Sequence, residues 1–252
     1  MGKADLHIHT SHSDGMFSAD EMLAHVEDQT DLDVVAVTDH DDLRGAWNVR
    51  EKWASGRHRF EVVAGMEITT IEGHLLALFI ENPVPSLRPA EETVDAVRRQ
   101  GGICIVPHPF TWLTRGMGER HMRRVMGKGR AGIGFDGIEI TNRTPAGRAG
   151  AAKAKRLNDS EFWLAEAGGS DAHFLPAIGA GYTEFEGTTA EELRAAIQAR
   201  QTRGVAGRHP SLRDLGLGQV MRQTYRGIMS TPRAVGWGPT AWSFVRRIVA
   251  VR

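Results

Sequence analysis

Short apolar runs recur along the chain, and most of them end in a polar residue able to ligate a metal or hold a hydrogen bond. The first, Ala4-Asp5-Leu6-His7-Ile8-His9-Thr10, alternates strictly. A strand turns every second side chain to one face, so the pattern predicts Asp5, His7 and His9 on one side and Leu6, Ile8 and Thr10 on the other. Residues 33–40 form a nearly continuous β-branched run, as in a strand covered on both faces, and close on Thr38-Asp39-His40. The strand predicted over 61–68 delivers Glu67 near its end, and the next, 74–80, begins with His74. Residues 102–109 end in Pro107-His108-Pro109, residues 137–142 end in Asn142, and 164–173 run into Gly168-Gly169-Ser170-Asp171-Ala172-His173.

Helical stretches separate these strands. Ser18-Ala19-Asp20-Glu21 and Thr189-Ala190-Glu191-Glu192 read as capping boxes, the hydroxyl closing on the backbone and the glutamate reaching back. Residues 43–54, 89–100 and 149–157 supply further helices, the second opened by Pro89. Alternating β and α units predict parallel strands in an open sheet or a closed barrel. An open sheet gathers ligands from a few strands at its switch point, whereas a barrel gathers them from every strand at its C-terminal mouth. Most strands here end in polar groups, which favours the barrel.

A chain of 252 residues suffices for one such barrel or two modest domains. Its first residues run straight into the opening strand, so a secretory signal peptide is not expected, and no run of 18 apolar residues suggests a spanning helix. The single cysteine, Cys104, sits within an apolar run and is expected as a buried thiol, with the cytoplasm as the expected compartment. A formal net charge of zero conceals an asymmetry. Residues 203–252 carry nine arginines, no lysine and one acidic residue, a net +8, leaving −8 on the remainder. The expected organisation is a barrel over 1–202 followed by a basic, aromatic tail over 203–252, packed on the barrel or extending from it. Gly216, Gly218, Gly227, Gly236 and Gly238 are expected to break any long helix there, leaving a short one over 243–251. In the tail Trp237, Trp242, Phe244, Ile248 and Val249 interleave with Arg246, Arg247 and Arg252. That mixture suits docking on the acidic body, an anionic membrane surface, or a nucleic-acid backbone or end. No obligate protein partner is indicated.

Nine side chains at strand ends and loops form the candidate chemistry: His7, His9, Asp14, His40, Glu67, His74, His108, Asp171 and His173. Imidazoles mixed with carboxylates, without thiolate, suit zinc, manganese or iron rather than magnesium or calcium. Nine groups exceed one ion's shell and fit two or three divalent ions per chain if a carboxylate bridges; Glu67 is the expected bridge.

The ordered set of the histidine pair His7/His9, Ser13-Asp14-Gly15, Thr38-Asp39-His40, Gly65-Met66-Glu67, Gly73-His74, Pro107-His108-Pro109 and Ser170-Asp171-Ala172-His173 resembles the PHP (polymerase and histidinol phosphatase) family. The resemblance runs from about residue 4 to 200 and implies an α/β fold, a distorted (β/α)7 TIM-like barrel with a trinuclear metal site at the C-terminal rim of its strands. It implies a first metal on His7, His9, Glu67 and Asp171, a second on Glu67, His74 and His108, and a third on Asp14, His40 and His173. The Ser13-Asp14-Gly15 variant resembles the nucleotide phosphatase and 5′-to-3′ exonuclease branch, whose members carry a capping insertion between the Glu and His motifs. Residues 67 and 108 stand too close together to hold one.

Bare chemistry points the same way, because coordination lowers the pKa of water from 15.7 to roughly 7. The expected catalyst is a metal-bound hydroxide at Glu67 and Asp171, with His173 beside it, hydrolysing a phosphate ester of a small molecule or nucleotide. Arg143, Asn142 and Ser170 are the expected substrate contacts, since arginine forks onto phosphate. Asp39 and Asp5 are expected to orient imidazoles from behind. Two other readings fit the residues: hydrolysis of a C–N or C–O bond, and a non-catalytic metal-binding adaptor acting through the basic tail. His12, His25, His58, His121 and His209 fall outside the constellation.

Overall fold

The computed structural model describes residues 1–111, 113–127 and 134–234. Seven strands surround the core: β1 (Gly2–Ile8), β2 (Val34–Val37), β3 (Glu61–Thr69), β4 (His74–Leu78), β5 (Ile103–Val106), β6 (Gly137–Asn142) and β7 (Ala165–Gly169). Two more, β8 (Gly181–Phe185) and β9 (Arg203–Ala206), complete a sheet ordered β7-β6-β5-β4-β3-β2-β1-β8-β9. The helices are α1 (Ala19–Gln29), α2 (Arg44–Ala54), α3 (Ala90–Arg98), α4 (Glu119–Gly127), α5 (Pro145–Leu157), α6 (Ala190–Ala199), α7 (Leu212–Leu215) and α8 (Leu217–Ala234). Both capping boxes form: Ser18 with Glu21 opens α1, and Thr189 with Glu192 opens α6. Helix α5 begins earlier than its alanines suggest, because Thr144 caps it ahead of Pro145.

The sheet curls until its ends nearly meet. Ile8 pairs with Ala172 just beyond β7, through His9 N–H to Ala172 O at 2.9 Å and Ala172 N–H to His7 O at 3.2 Å. The strands β1–β2–β3 and β5–β6–β7 pair in parallel, but β4 is antiparallel to both neighbours, which corrects the all-parallel expectation. Only residues 70–73 join β3 to β4, and a parallel crossover needs a dozen residues or more. Reversal has a functional consequence: the start of β4, and with it His74, lies at the same rim as the ends of the other strands.

Side chains from six of the seven barrel strands fill the lower interior, among them Leu6, Ala36, Val63, Leu76, Ile105 and Ala167, and Leu193 and Ile197 of α6 plug it. A second apolar layer, including Met22, Val26, Val35 and Val49, lies between sheet and helices. The β1–β2 pairing slips between Asp5 and Ile8, so Leu6 belongs to the inner cluster and Ile8 to the outer one. Strict alternation across β1 therefore fails, and Asp5 does not share a face with His7 and His9.

From residue 203 to 234 the chain stays on the barrel. Strand β9 pairs with β8, and α8 runs over the mouth as an 18-residue helix. This overturns the expectation that glycines break any long helix in the tail. A helical glycine costs about 1 kcal/mol relative to alanine, which packing offsets, and Gly227 sits where a Cβ would come within 2.9 Å of Asp14 Oδ2. The expected short helix over 243–251 and the Trp/Arg interleaving from Trp237 onward lie outside the described residues. No described helix is long and apolar enough to cross a membrane.

Candidate metal centre

The barrel gathers all nine predicted side chains at one rim. His7 ends β1 and His9 follows it; His40 follows β2 and forms an isolated bridge with Glu67 of β3; His74 starts β4. His108 follows β5 at φ +27°, and Asp171 follows β7 at φ +54°. Such left-handed backbone in residues other than glycine costs of order 1–3 kcal/mol and persists where surrounding structure imposes it.

Glu67 lies at the middle, buried, with its two oxygens facing different imidazoles. Its Oε2 is 3.2 Å from His7 Nε2, 3.3 Å from His9 Nε2 and 3.2 Å from His40 Nδ1. Its Oε1 is 2.7 Å from His74 Nδ1 and 3.0 Å from His108 Nε2. Asp171 Oδ1 stands 3.6 Å from His7 Nε2 and 3.4 Å from His9 Nε2. Asp14 Oδ2 is 3.0 Å from His173 Nε2 and 3.9 Å from His40 Nε2. A tetrahedral shell with bonds of about 2.0–2.1 Å sets neighbouring ligand atoms roughly 3.3–3.4 Å apart, close to the spacing around Glu67 and Asp171. Among the described residues, ligand atoms within 4.8 Å of one another fall into four sets: His9/Asp14/His40/His173, His7/His108/Asp171, His7/His9/Glu67 and His40/Glu67/His74.

The fit to cations is testable on the groups themselves. Both ring nitrogens of His9, and Nδ1 of His40 and His74, are buried and complete no hydrogen bond. Unsatisfied buried nitrogens are costly, and a cation satisfies them together. Elsewhere hydrogen bonds fix the tautomer. His173 Nδ1 meets the Asp171 carbonyl at 2.9 Å, an acceptor only, so the proton sits on Nδ1 and the Nε2 lone pair faces Asp14. Burial opposes charge on His7, but Asp171, Glu67 and Glu139 outweigh it and hold its pKa well above the usual imidazole value. Against the same burial penalty, Asp171 and Glu67 raise His9 to about 10. The reciprocal effect holds Glu67 and Asp171 well below the usual carboxylate range, against burial. The rim is thus a concentrated anionic field that draws protons and, in their place, divalent cations.

Behind the imidazoles stands Glu139 of β6, which sequence reasoning missed. Its Oε1 is 2.9 Å from His7 Nδ1, while Oε2 accepts from His108 N–H at 2.8 Å and Asn142 Nδ2 at 3.0 Å. A buried charge between Ile138 and Ile140 is its only sequence signal. Asp5 and Asp39, expected to orient imidazoles, bond elsewhere. Asp5 accepts from the N–H groups of His7, Ser170 and Gly179. Asp39 accepts from Thr10 and Ser13 and so holds the loop carrying Asp14. Asn142, expected to touch substrate, is committed through its amide to Glu139 and Asp171 and through its oxygen to Thr144. Ser170 borders the mouth, but its hydroxyl donates to His7 O at 3.3 Å. Arg143 lines the mouth, and its Nε is buried without a hydrogen bond.

A family model described as PHP-associated matches residues 153–202. An uncharacterised protein of Methanocaldococcus jannaschii is 35% identical over 150 residues, covering 56% of this chain and 81% of the relative. A two-domain protein from Bacteroides vulgatus containing a predicted PHP-like metal-dependent phosphoesterase matches with TM-score 0.64 at 19% identity, over 81% of this chain and 64% of that longer one. Endonuclease Q, in complex with a 27-mer duplex bearing an abasic lesion, matches with TM-score 0.56 at 16% identity, over 79% of this chain and 56% of that one. At these identities the structural likeness is one of fold. The PHP-associated segment is the match that names a family, and the barrel is compatible with it: this chain belongs to the PHP (polymerase and histidinol phosphatase) family.

Proposed function

We propose that the chain is a metal-dependent phosphoesterase hydrolysing a phosphate ester of a small molecule or nucleotide. One observation carries this reading: Glu67 divides its two oxygens between His7/His9 and His74/His108, as a carboxylate shared by two cations would. In this reading His7, His9, Glu67 and Asp171 hold one divalent ion, Glu67, His74 and His108 a second, and Asp14, His40 and His173 a third, the metal being manganese, zinc or iron. Such ions supply Lewis acidity toward phosphoryl oxygens and make water nucleophilic at neutral pH.

The chain's own groups do the rest. Glu139 and the Asp171 carbonyl keep protons on the Nδ1 atoms of His7 and His173, leaving the Nε2 lone pairs directed inward. Arg143, with its unspent Nε, offers a donor fork for a phosphoryl oxygen at the cavity wall. The phosphoesterase-containing neighbour and endonuclease Q support chemistry on phosphate esters. The test is phosphate release from 4-nitrophenyl phosphate and a mononucleotide panel with added Mn²⁺; we expect turnover that EDTA abolishes. Silence across the panel by protein with bound metal would refute the proposal.

A further inference from the structure

Helix α8 touches the metal centre itself. Gln223 Nε2 donates to Asp14 Oδ2 at 3.1 Å, and Arg226 Nη2 donates to Ser11 O at 2.8 Å and Ser13 O at 3.1 Å, on the loop that carries Asp14. A Cβ at Gly227 would come within 2.9 Å of the same carboxylate, so a side chain there displaces either the helix or Asp14. Below α8 lies a cavity of about 1010 Å³ whose floor is the ligand cluster. Val220 and Ile228 of α8 form its roof and Leu113 and Phe174 its sides, with Arg115 and Arg148 beside them, so the wall beyond the ligands mixes apolar surface with cationic groups. On one flank Arg143 contributes a buried Nε with no partner. Small-molecule sites occupy roughly 300–1,000 Å³ and combine apolar walls with a few placed polar groups.

We propose that α8 is a cap seated on Asp14 through Gln223, Arg226 and Gly227, and that it restricts the site to small phosphate esters with an apolar organic part, excluding nucleic-acid ends. The substrate class rests on the phosphoesterase reading; the seating of the helix does not. Val220 and Ile228 face the organic part of the substrate, Arg143 binds its phosphate, and an oligonucleotide reaches Glu67 only when α8 lifts.

The experiment compares the full chain, loaded with Mn²⁺, with a Gln223→Ala/Arg226→Ala double variant and with Gly227→Leu, which favours helix but cannot sit against Asp14. Hydrogen exchange over residues 217–229 reports the seat; we expect about tenfold faster exchange in both variants, the loss of two or three hydrogen bonds, with the strands unchanged. Kinetics on 4-nitrophenyl phosphate and on a 5′-phosphorylated oligonucleotide report the specificity. We expect the wild type to act on the first only, and the variants to show a raised KM for it with kcat nearly retained, together with new turnover of the oligonucleotide. Wild-type cleavage of both substrates, or variants indistinguishable from wild type, would overturn the cap. If no phosphate ester is turned over, the phosphoesterase reading fails; unprotected 217–229 in the wild type would then overturn the cap as well, and protection lost in the variants would uphold its seat.

Discussion

Glu139→Gln tests whether a carboxylate outside the ligand cluster holds it in order. Glu139 serves His7 Nδ1 at 2.9 Å, His108 N–H at 2.8 Å and Asn142 Nδ2 at 3.0 Å, all donors. Glutamine keeps the shape but has one acceptor oxygen, so its NH₂ must face either the His7 ring or the His108 amide. Carboxylates behind metal-bound histidines are worth about 10–100-fold in metal affinity, which is roughly 1.4–2.7 kcal/mol. A second effect opposes the loss: without Glu139, His7 gives up its competing proton more readily. That proton and a metal ion would share Nε2, and the divalent ion feels the missing charge twice as strongly, so weakening prevails. Mn²⁺ titration by calorimetry should show the loss, and Glu139→Ala should fare no better. Unchanged affinity in Glu139→Gln would refute the reasoning.

The remaining predictions address the cluster and its supports. Glu67→Gln should deplete both ions that share this carboxylate, measured by metal analysis after dialysis; full occupancy would contradict the bridge. Metal-free protein should lose stability as pH rises. Below about 6.5 folded and unfolded chains both hold the His9 proton and its benefit is complete, and that benefit fades as pH climbs toward about 10. Because cations displace that proton, the rise in Tm on adding Mn²⁺ should grow over the same range; an increment independent of pH would argue against it. Gly45→Ala places a Cβ 1.8 Å from Asp39 Oδ2 and 2.9 Å from Thr10 Oγ1. Overpacking of this kind costs about 1–3 kcal/mol, and the displaced loop should weaken binding at Asp14, read by denaturation and metal titration.

Most of the ligands were legible because they stand at or just beyond the end or start of a strand whose hydrophobic pattern is clear, and a barrel carries strand ends to one mouth; Asp14, on the loop after β1, was legible through its Ser13-Asp14-Gly15 setting. Strand direction was less so: His74-Leu75-Leu76-Ala77-Leu78 has the same apolar content run either way, and only the short link over 70–73 betrays the reversal. The placement of Asp5 escaped the alternation rule because a slip in the β1–β2 pairing changes the face within two residues. Glu139 escaped because a buried charge shows its purpose only through partners on β1 and β5. Helix α8 was hidden by glycine propensity, a local cost that tertiary packing on Asp14 overrides.

Anomalous diffraction from crystals grown with Mn²⁺ tests the central claim most directly. The account predicts peaks within the cluster, one between His7, His9 and Asp171, one between His74 and His108, and one beside Asp14, His40 and His173, with Glu67 joining the first two. A cluster without anomalous density, or ions bound only elsewhere on the chain, would contradict it.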